Sequence, residues 1–214
     1  MDGNNRWSIK NKKSKFYTYS LGAKNIIKLS SYIFKNLETN FISAFALSAN
    51  NLNRSKKTIN IIKRVLIDFL DNEIMIKKLD FKIKFIGDKS FLNKNVLKKI
   101  DLLENRNINS KKVLAIFINY SGKKDIIQVF ENANNKNLNL INEKIFSKNL
   151  LTYGIPDPDI LIRTGGFQRI SDFMLFQLSF TELFFLKKLW IDFNYSDIRK
   201  IILKFRRIDR KFGV

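Results

Sequence analysis

Apolar and polar positions follow two different periods along the chain, and the changes of period predict the order of its elements. Short, continuously apolar runs indicate buried strands, and longer stretches with apolar residues every three or four positions indicate helices. We predict strands at residues 41–47, 81–86, 113–120 and 159–163. We predict helices at residues 21–37, 57–79, 91–103, 125–133, 142–151 and 196–210. Residues 173–185 are largely apolar and are expected to be mostly buried, and the Asn-rich stretch 132–142 is expected to be a surface loop.

This alternation of strands and helices predicts an α/β fold with a mostly parallel central sheet and helices on both faces. The only two prolines are Pro156 and Pro158, and no Gly/Ser-rich linker divides the chain, so we expect a single domain over residues 1–214. Ligands of such sheets bind beyond the carboxyl ends of the strands. The polar stretches that follow strands are therefore the candidate site: residues 2–6, 48–51, 87–88, 119–122 and 163–166.

The absence of two residue types narrows the possible chemistry. The chain has no Cys and no His, which excludes disulfides, thiolate zinc sites and His-based catalytic triads. Any metal must then be held by oxygen ligands, which favours Mg²⁺ or a similar hard cation.

The net charge of +21 has two interpretations. A basic surface favours nucleic acids, diphosphates or acidic lipid headgroups. Alternatively, a genome rich in A and T raises Lys, Asn, Ile and Phe together, and then the charge is compositional. No helix-turn-helix or zinc signature supports a nucleic-acid partner. No apolar run reaches the roughly 18 residues of a membrane span, and no signal pattern begins the chain, so we expect a cytoplasmic protein.

Two stretches combine the residue types that phosphate chemistry needs. Residues 2–6 place the Asp2 carboxylate, a flexible Gly and Arg6 close together, and their backbone can form an anion-binding nest; the alternative is a frayed amino terminus. Residues 163–171 flank a Gly pair with two arginines, whose planar forks suit phosphate; the alternative is a solvated turn. Glu182 interrupts an apolar stretch, so it is either exposed or buried beside a metal ion or an arginine.

The strings MDGNNRW, FALSANNLNR, FIGD, NYSGKKDI, DPDILIRTGGFQRISDF, TELFF and DRKFG occur in an order that resembles the cis-prenyltransferases, the undecaprenyl diphosphate synthase family. The resemblance runs from residue 2 to residue 213. It implies repeated cis addition of isopentenyl diphosphate to an allylic diphosphate, commonly farnesyl diphosphate, to give a long-chain polyprenyl diphosphate such as the undecaprenyl carrier lipid. It further implies Mg²⁺, a homodimer, a hydrophobic product tunnel, transient membrane contact on product release, and no nucleic-acid partner.

The same resemblance assigns roles to individual residues. It implies that Asp2 and Asn51 are catalytic and that Asp2 and Glu182 hold the metal. The substrate-binding residues that it implies are Gly3, Asn4, Arg6, Trp7, Lys15, Tyr19, Ser48, Arg54, Arg163, Arg169 and Ser171.

Several positions depart from the family pattern. Met1 adjoins Asp2, so the strand that usually precedes the DGN motif is not part of this sequence. Either the true start lies upstream of Met1, or the sheet forms without that strand. Tyr19 stands where His is usual, and Phe167 where Glu is usual; Asn50 and Leu52 replace Glu and Trp. These departures leave open a second interpretation, a catalytically impaired or heteromeric non-catalytic subunit of the same fold. The retained Asp and Arg residues favour the enzyme.

Overall fold

The order of helices and strands follows the predicted alternation. The computed structural model describes residues 1–53, 56–135 and 142–211. Its strands are β1 (Phe41–Ser48), β2 (Lys82–Ile86), β3 (Val113–Tyr120), β4 (Ile160–Arg163) and β5 (Glu182–Phe185). Its helices are α1 (Asn4–Lys10), α2 (Lys15–Asn36), α3 (Lys56–Leu70), α4 (Glu73–Lys77), α5 (Lys94–Asn105), α6 (Gly122–Asn135), α7 (Glu143–Asn149) and α8 (Tyr195–Phe205), and short 3₁₀ turns span Ala49–Asn53 and Trp190–Asp192.

All the strand pairs in the described residues are parallel, as predicted, but the strands form two sheets. One sheet has the order β1-β3-β2 and the other pairs β4 with β5. Phe41 and Lys82 both lie opposite Val113 in the first sheet, and Ile160 lies opposite Glu182 in the second. All eight residues of the central strand β3 are buried. The prediction of a mostly parallel sheet with helices is therefore confirmed.

Several predicted boundaries were wrong, for identifiable local reasons. The first long helix begins at Lys15 rather than residue 21, because the Ser14 side chain caps it by accepting a hydrogen bond from the Tyr17 N–H. The predicted helix 57–79 is broken in two, because Asn72 caps a new helix by accepting from the Met75 N–H. The predicted loop 132–142 begins too early, since α6 continues to Asn135, and residues 136–141 lie outside the described residues.

A cavity of about 1230 Å³ lies between the two sheets. It is lined by every residue of β1 and every residue of β4, and side chains of α2, α3 and α8 close it. Successive side chains of a strand point to opposite faces, so a cavity that contacts every residue runs along the strand edges. We call the end of the cavity at the carboxyl ends of β1 and β4 its mouth, because Asp2, Arg6 and Arg163 line the cavity there. At a rise of roughly 3.3 Å per residue, β1 gives it a length of about 23 Å.

In the part of the chain that the structure describes, no helix has both the length and the apolar character that a membrane crossing requires.

Candidate active site

The amino-terminal stretch is tied to the end of β4. The Asp2 N–H donates to Thr164 Oγ1 at 3.0 Å, and the Thr164 hydroxyl donates to the Asp2 carbonyl at 3.1 Å. The Trp190 N–H donates to the same carbonyl at 3.0 Å. Burial lowers the pKa of the Met1 amino group to about 6, so this amine is mostly neutral at neutral pH. The frayed terminus that the sequence left open is therefore wrong for Asp2.

The Asp2 carboxylate lies between two guanidinium groups. Asp2 Oδ2 is 3.1 Å from Arg163 Nη2, and Asp2 Oδ1 is 3.8 Å from Arg6 Nη2. Asp2 Oδ1 also accepts from the Gly3 N–H at 2.6 Å. The Asp2 side chain remains 36% exposed, while that of Arg163 is 14% exposed. The carboxylate is thus fixed in direction and still open to a ligand in the cavity.

The close approach of these groups requires glycine at two positions. Gly3 has φ +97°, and a Cβ there would lie 2.7 Å from Leu189 Cδ2. Gly165 has φ +90°, and a Cβ there would lie 2.7 Å from Arg6 Nη2. Arg6 donates from this nitrogen to the Gly165 carbonyl at 2.6 Å. A side chain at residue 165 would displace Arg6 from the mouth of the cavity.

The arginines of residues 163–171 meet at the same place. Arg163 Nη1 donates to Ser171 Oγ at 2.7 Å and to the Arg169 carbonyl. The Arg169 guanidinium lies over the Phe167 ring, 4.3 Å from its centroid. Asp2, Arg6, Arg163, Arg169 and Ser171 all line the cavity. Two guanidinium groups therefore flank the Asp2 carboxylate, and that of Arg169 lies over the adjacent Phe167 ring, which leaves the mouth of the cavity positively charged.

The structure brings some of the other predicted residues to this cavity and not others. Gly3, Asn4, Tyr19, Ser48 and Asn51 line it. Ser48 ends β1, and Asn51 lies in the 3₁₀ turn that follows it. The side-chain oxygen of Asn4 is buried without a hydrogen-bond partner among the described residues. Arg54 lies outside the described residues.

Three predicted residues are absent from the cavity lining. The Trp7 indole donates to Asp192 Oδ1 at 2.8 Å, and Lys15 is exposed at the start of α2. Glu182 is opposite Ile160, three residues along β4 from Arg163, which is roughly 10 Å at 3.3 Å per residue. The structure does not bring Glu182 to Asp2 within the chain. No three acidic residues form a metal-binding group among residues 1–53, 56–135 and 142–211.

The roles of three residues at this site were not predicted from the sequence, although one of them, Thr164, lies in the candidate stretch 163–166. Thr164 and Trp190 fix the backbone of Asp2, and Phe167 contacts three guanidinium groups. Thr164 was visible as the residue that directly follows a predicted strand. Neither Trp190 nor the contacts of Phe167 have a signal in the periodicity, because their partners are distant in sequence.

A second polar cluster lies at the carboxyl end of β3, outside the cavity lining. The Tyr120 hydroxyl donates to Asp125 Oδ2 at 2.9 Å, and the Leu151 N–H donates to Asp125 Oδ1 at 2.8 Å. Asp125 is 2% exposed, and its burial raises the pKa of its carboxyl. Burial and the nearby Asp125 carboxylate raise the pKa of the Tyr120 hydroxyl. Protein groups thus already occupy the hydrogen-bonding atoms of this cluster.

The chain is similar in sequence and in fold to known proteins. The Prenyltransf family model, which describes undecaprenyl diphosphate synthases, matches residues 1–213. An isoprenyl transferase of Clostridium perfringens is 32% identical, with 100% of this chain and 87% of that protein covered. A nerylneryl diphosphate synthase of Solanum lycopersicum is 37% identical, with 100% of this chain and 68% of that protein covered. The crystal structure of lavandulyl diphosphate synthase from Lavandula x intermedia with dimethylallyl diphosphate has a TM-score of 0.92 and 30% identity, covering 100% of this chain and 95% of that one.

Proposed function

The chain belongs to the undecaprenyl diphosphate synthase family and makes polyprenyl diphosphates by cis elongation, and from this premise we propose that it adds isopentenyl diphosphate to farnesyl diphosphate at the mouth of the cavity. The observation that carries the proposal is the pair of guanidiniums that flank Asp2, with the Arg169 guanidinium on the adjacent Phe167 ring, at one end of a largely apolar cavity. Arg6, with Gly3 and Asn4, is assigned to the allylic diphosphate. Arg163, Arg169 and Ser171 are assigned to isopentenyl diphosphate.

Preplaced positive charge suits the first step of this reaction. Breaking the allylic C–O bond leaves negative charge on the diphosphate oxygens and an allylic cation. Guanidiniums that are already oriented stabilise this developing charge without reorganisation. The double bond of isopentenyl diphosphate then captures the cation, and loss of a proton restores a double bond. Ser48 and Asn51, at the end of β1, are assigned to orienting the reacting carbons and assisting that proton loss.

Asp2 fits a role in holding Mg²⁺. Mg²⁺ is commonly bound by one or two carboxylates together with the phosphates of a substrate, and Asp2 is the partly exposed carboxylate beside these arginines. The bound ion would neutralise charge on the departing diphosphate. A metal role for Glu182 stays a prediction from the family resemblance, because the chain does not place it beside Asp2.

The body of the cavity suits the growing prenyl chain. Below the charged mouth its lining is dominated by aliphatic and aromatic side chains from β1, α2 and α3, among them Ile26, Ile33, Leu66 and Phe69. Apolar surface removed from water contributes roughly 25 cal/mol per Å², so a hydrocarbon chain is stabilised there.

Product length offers a test of this tunnel. Ala23→Phe places a ring in the cavity and is expected to shorten the products without raising the KM for isopentenyl diphosphate more than about twofold. Leu102→Phe is the matched control, because Leu102 is 74% exposed on α5 and away from the cavity. Unchanged product length in the Ala23 variant would place the prenyl chain elsewhere.

We further propose a homodimer. Apolar residues are exposed around α6, α7 and the free edge of β5: Ile127, Phe130, Tyr153, Phe180 and Leu183. Exposed apolar patches of this kind mark association surfaces. Sedimentation should give twice the chain mass of 25.2 kDa, and Leu183→Asp should shift it toward the single-chain mass.

Transient membrane contact during product release is also proposed. The net charge of +21 favours anionic headgroups. Flotation with anionic vesicles should recover more product-loaded protein than flotation with neutral vesicles, and equal recovery would count against the contact.

One incubation tests the function. Purified protein, Mg²⁺ and labelled isopentenyl diphosphate are mixed with farnesyl or dimethylallyl diphosphate, and the products are separated by length. A ladder of long products with farnesyl diphosphate, lost with EDTA, is the expected result. A folded protein without product in either arm would instead favour the non-catalytic subunit that the departures at Tyr19, Asn50 and Leu52 left open.

A further inference from the structure

One aromatic ring contacts all three guanidiniums at the mouth of the cavity. The centroid of the Phe167 ring is 4.3 Å from Arg169 Cζ, 5.2 Å from Arg6 Cζ and 5.5 Å from Arg163 Cζ. Phe167 is 41% exposed and lines the cavity, so neither its exposure nor its position is that of an ordinary core residue.

The backbone just before Phe167 is held in place by the segment that follows β5. Gly165 and Gly166 have φ of +90° and +85°. The Gly165 N–H donates to the Lys188 carbonyl and the Gly166 N–H donates to the Leu186 carbonyl, both at 2.8 Å. The turn is thus pinned to the segment after β5, and it carries the ring to the arginines.

The three arginines differ in what else holds them. Arg6 donates to the Gly165 carbonyl, and Arg163 is bound by Asp2, Ser171 and the Arg169 carbonyl. Within the described ranges, the Arg169 guanidinium makes no hydrogen bond or ion pair, and it also has the shortest distance to the Phe167 ring. Its orientation therefore depends on that ring.

An aromatic ring at this position has an effect that a carboxylate would not. A cation within about 6 Å of a ring centroid is attracted by the ring quadrupole, which offsets part of the repulsion among like charges. The ring accepts no strong hydrogen bond from the N–H groups of a stacked guanidinium, so these donors stay available. A Glu at residue 167 would accept hydrogen bonds from these N–H groups and would compete with a bound diphosphate for them.

We propose that Phe167 is a positioning residue that orients the Arg169 guanidinium, with support for Arg6 and Arg163, toward the diphosphate of the substrate. This inference rests on the proposed function, because it needs the mouth of the cavity to be a diphosphate site.

The experiment measures the affinity for inorganic pyrophosphate by calorimetry and the KM for isopentenyl diphosphate. Phe167→Leu keeps an apolar side chain and removes the ring; it should weaken pyrophosphate binding about five- to tenfold and raise the KM to a similar degree, with kcat within about twofold. Phe167→Tyr keeps the ring and should stay within about twofold of the unmodified chain in all three quantities. Both variants should unfold within about 2 °C of the unmodified chain, because the position is partly exposed.

Two outcomes would overturn the inference alone. One is pyrophosphate binding by Phe167→Leu that equals that of the unmodified chain, and the other is Phe167→Tyr binding as weakly as Phe167→Leu. Arg163→Ala separates these outcomes from failure of the proposed function. If Arg163→Ala also binds pyrophosphate normally, the mouth of the cavity is not the diphosphate site, and both the function and the inference are wrong.

Discussion

Two polar clusters lie at the carboxyl ends of parallel strands, and they differ in what their side chains bind. At the end of β4, Arg163 and Asp2 line a cavity, and the Asp2 carboxylate is 36% exposed. At the end of β3, Tyr120 and Asp125 are buried and bound to each other and to the Leu151 N–H. The first cluster keeps hydrogen-bonding capacity for a ligand, while the second uses its capacity within the protein.

This difference separates function from stability. A buried polar group without a partner costs stability, so the partners at the β3 end hold the fold together. The charges at the mouth of the cavity remain partly open to a ligand and are suited to stabilising the charge of a substrate. Substitutions at the two ends should therefore affect different measurements.

The largest expected effect is the loss of activity in Arg163→Ala. Removing the Arg163 guanidinium, which binds both Asp2 and Ser171, should lower kcat/KM about 10²- to 10³-fold, as does the loss of a preplaced hydrogen-bond donor in other enzymes. The free energy of unfolding should fall by about 1–2 kcal/mol, less than in Asp125→Ala, because the Asp2 carboxylate and the Ser171 hydroxyl that lose their partner are open to water. Steady-state kinetics and urea unfolding measure the two quantities. Arg199→Ala, on the exposed face of α8, is the matched control and should behave as the unmodified chain.

Asp125→Ala should have the opposite pattern. It leaves the Tyr120 hydroxyl and the Leu151 N–H without their acceptor, which should cost about 2–3 kcal/mol of stability. The kcat of the folded fraction should be unchanged, since Asp125 does not line the cavity. Asp101→Ala, at an exposed position of α5, controls for loss of a carboxylate. An active but no less stable Asp125 variant would contradict the structural role.

A substitution of Asp172 should affect both stability and activity. Its carboxylate accepts from the Ser121 hydroxyl at 2.5 Å and from the Lys123 N–H at 2.9 Å, and its neighbour Ser171 accepts from Arg163. Asp172→Ala should lower stability by about 1–2 kcal/mol and kcat/KM about tenfold through displaced Ser171. Asp172→Asn keeps one acceptor and should lose less of both. A loss confined to one quantity would show that the two clusters are not coupled here.

The smallest expected effect is on the pH dependence of stability. Burial raises the pKa of the Asp125 carboxyl in the folded protein above its ordinary value of 3.8. At pH values between the ordinary pKa and the raised pKa, the folded protein therefore binds more protons than the unfolded chain. The contribution of Asp125 to the free energy of unfolding therefore falls as the pH rises from the ordinary pKa to the raised pKa, and it stays lower at higher pH. Asp125→Asn lacks this titration. Urea unfolding from pH 3 to 7 should show the stability of the Asn variant, relative to the unmodified chain, rising between these two pKa values; parallel curves would contradict it.

The sequence predicted best the elements whose surroundings are uniform. Strand β3 has the predicted bounds, residues 113–120, because it is buried on both faces and apolar throughout. The break at residues 71–72 was missed because apolar spacing continues across it, and only the Asn72 cap marks the new helix. The early start of α2 was missed for a similar reason, since its first turn is mostly exposed and capped by Ser14.

Some residues of the site could likewise be predicted from the sequence, and others could not. Asp2, Arg6, Arg163, Arg169 and Ser171 follow from the family motifs and from the rule that ligands bind at the carboxyl ends of strands. The position of Glu182 depends on strand register, which no local pattern contains. The sequence treated residues 119–122 and 163–166 alike, since burial and partners, rather than residue type, distinguish the two clusters.

A paired measurement on Arg163→Ala and Asp125→Ala tests most directly whether the β4 end binds substrate while the β3 end stabilises the fold. For each variant, kcat/KM for isopentenyl diphosphate and the free energy of unfolding are measured on the same preparation. We expect Arg163→Ala to lose activity with a smaller loss of stability than Asp125→Ala, and Asp125→Ala to lose stability with the kcat of the folded fraction retained. Loss of activity by Asp125→Ala in the fully folded state, or full activity of Arg163→Ala, would contradict the division between a substrate site at β4 and a structural cluster at β3.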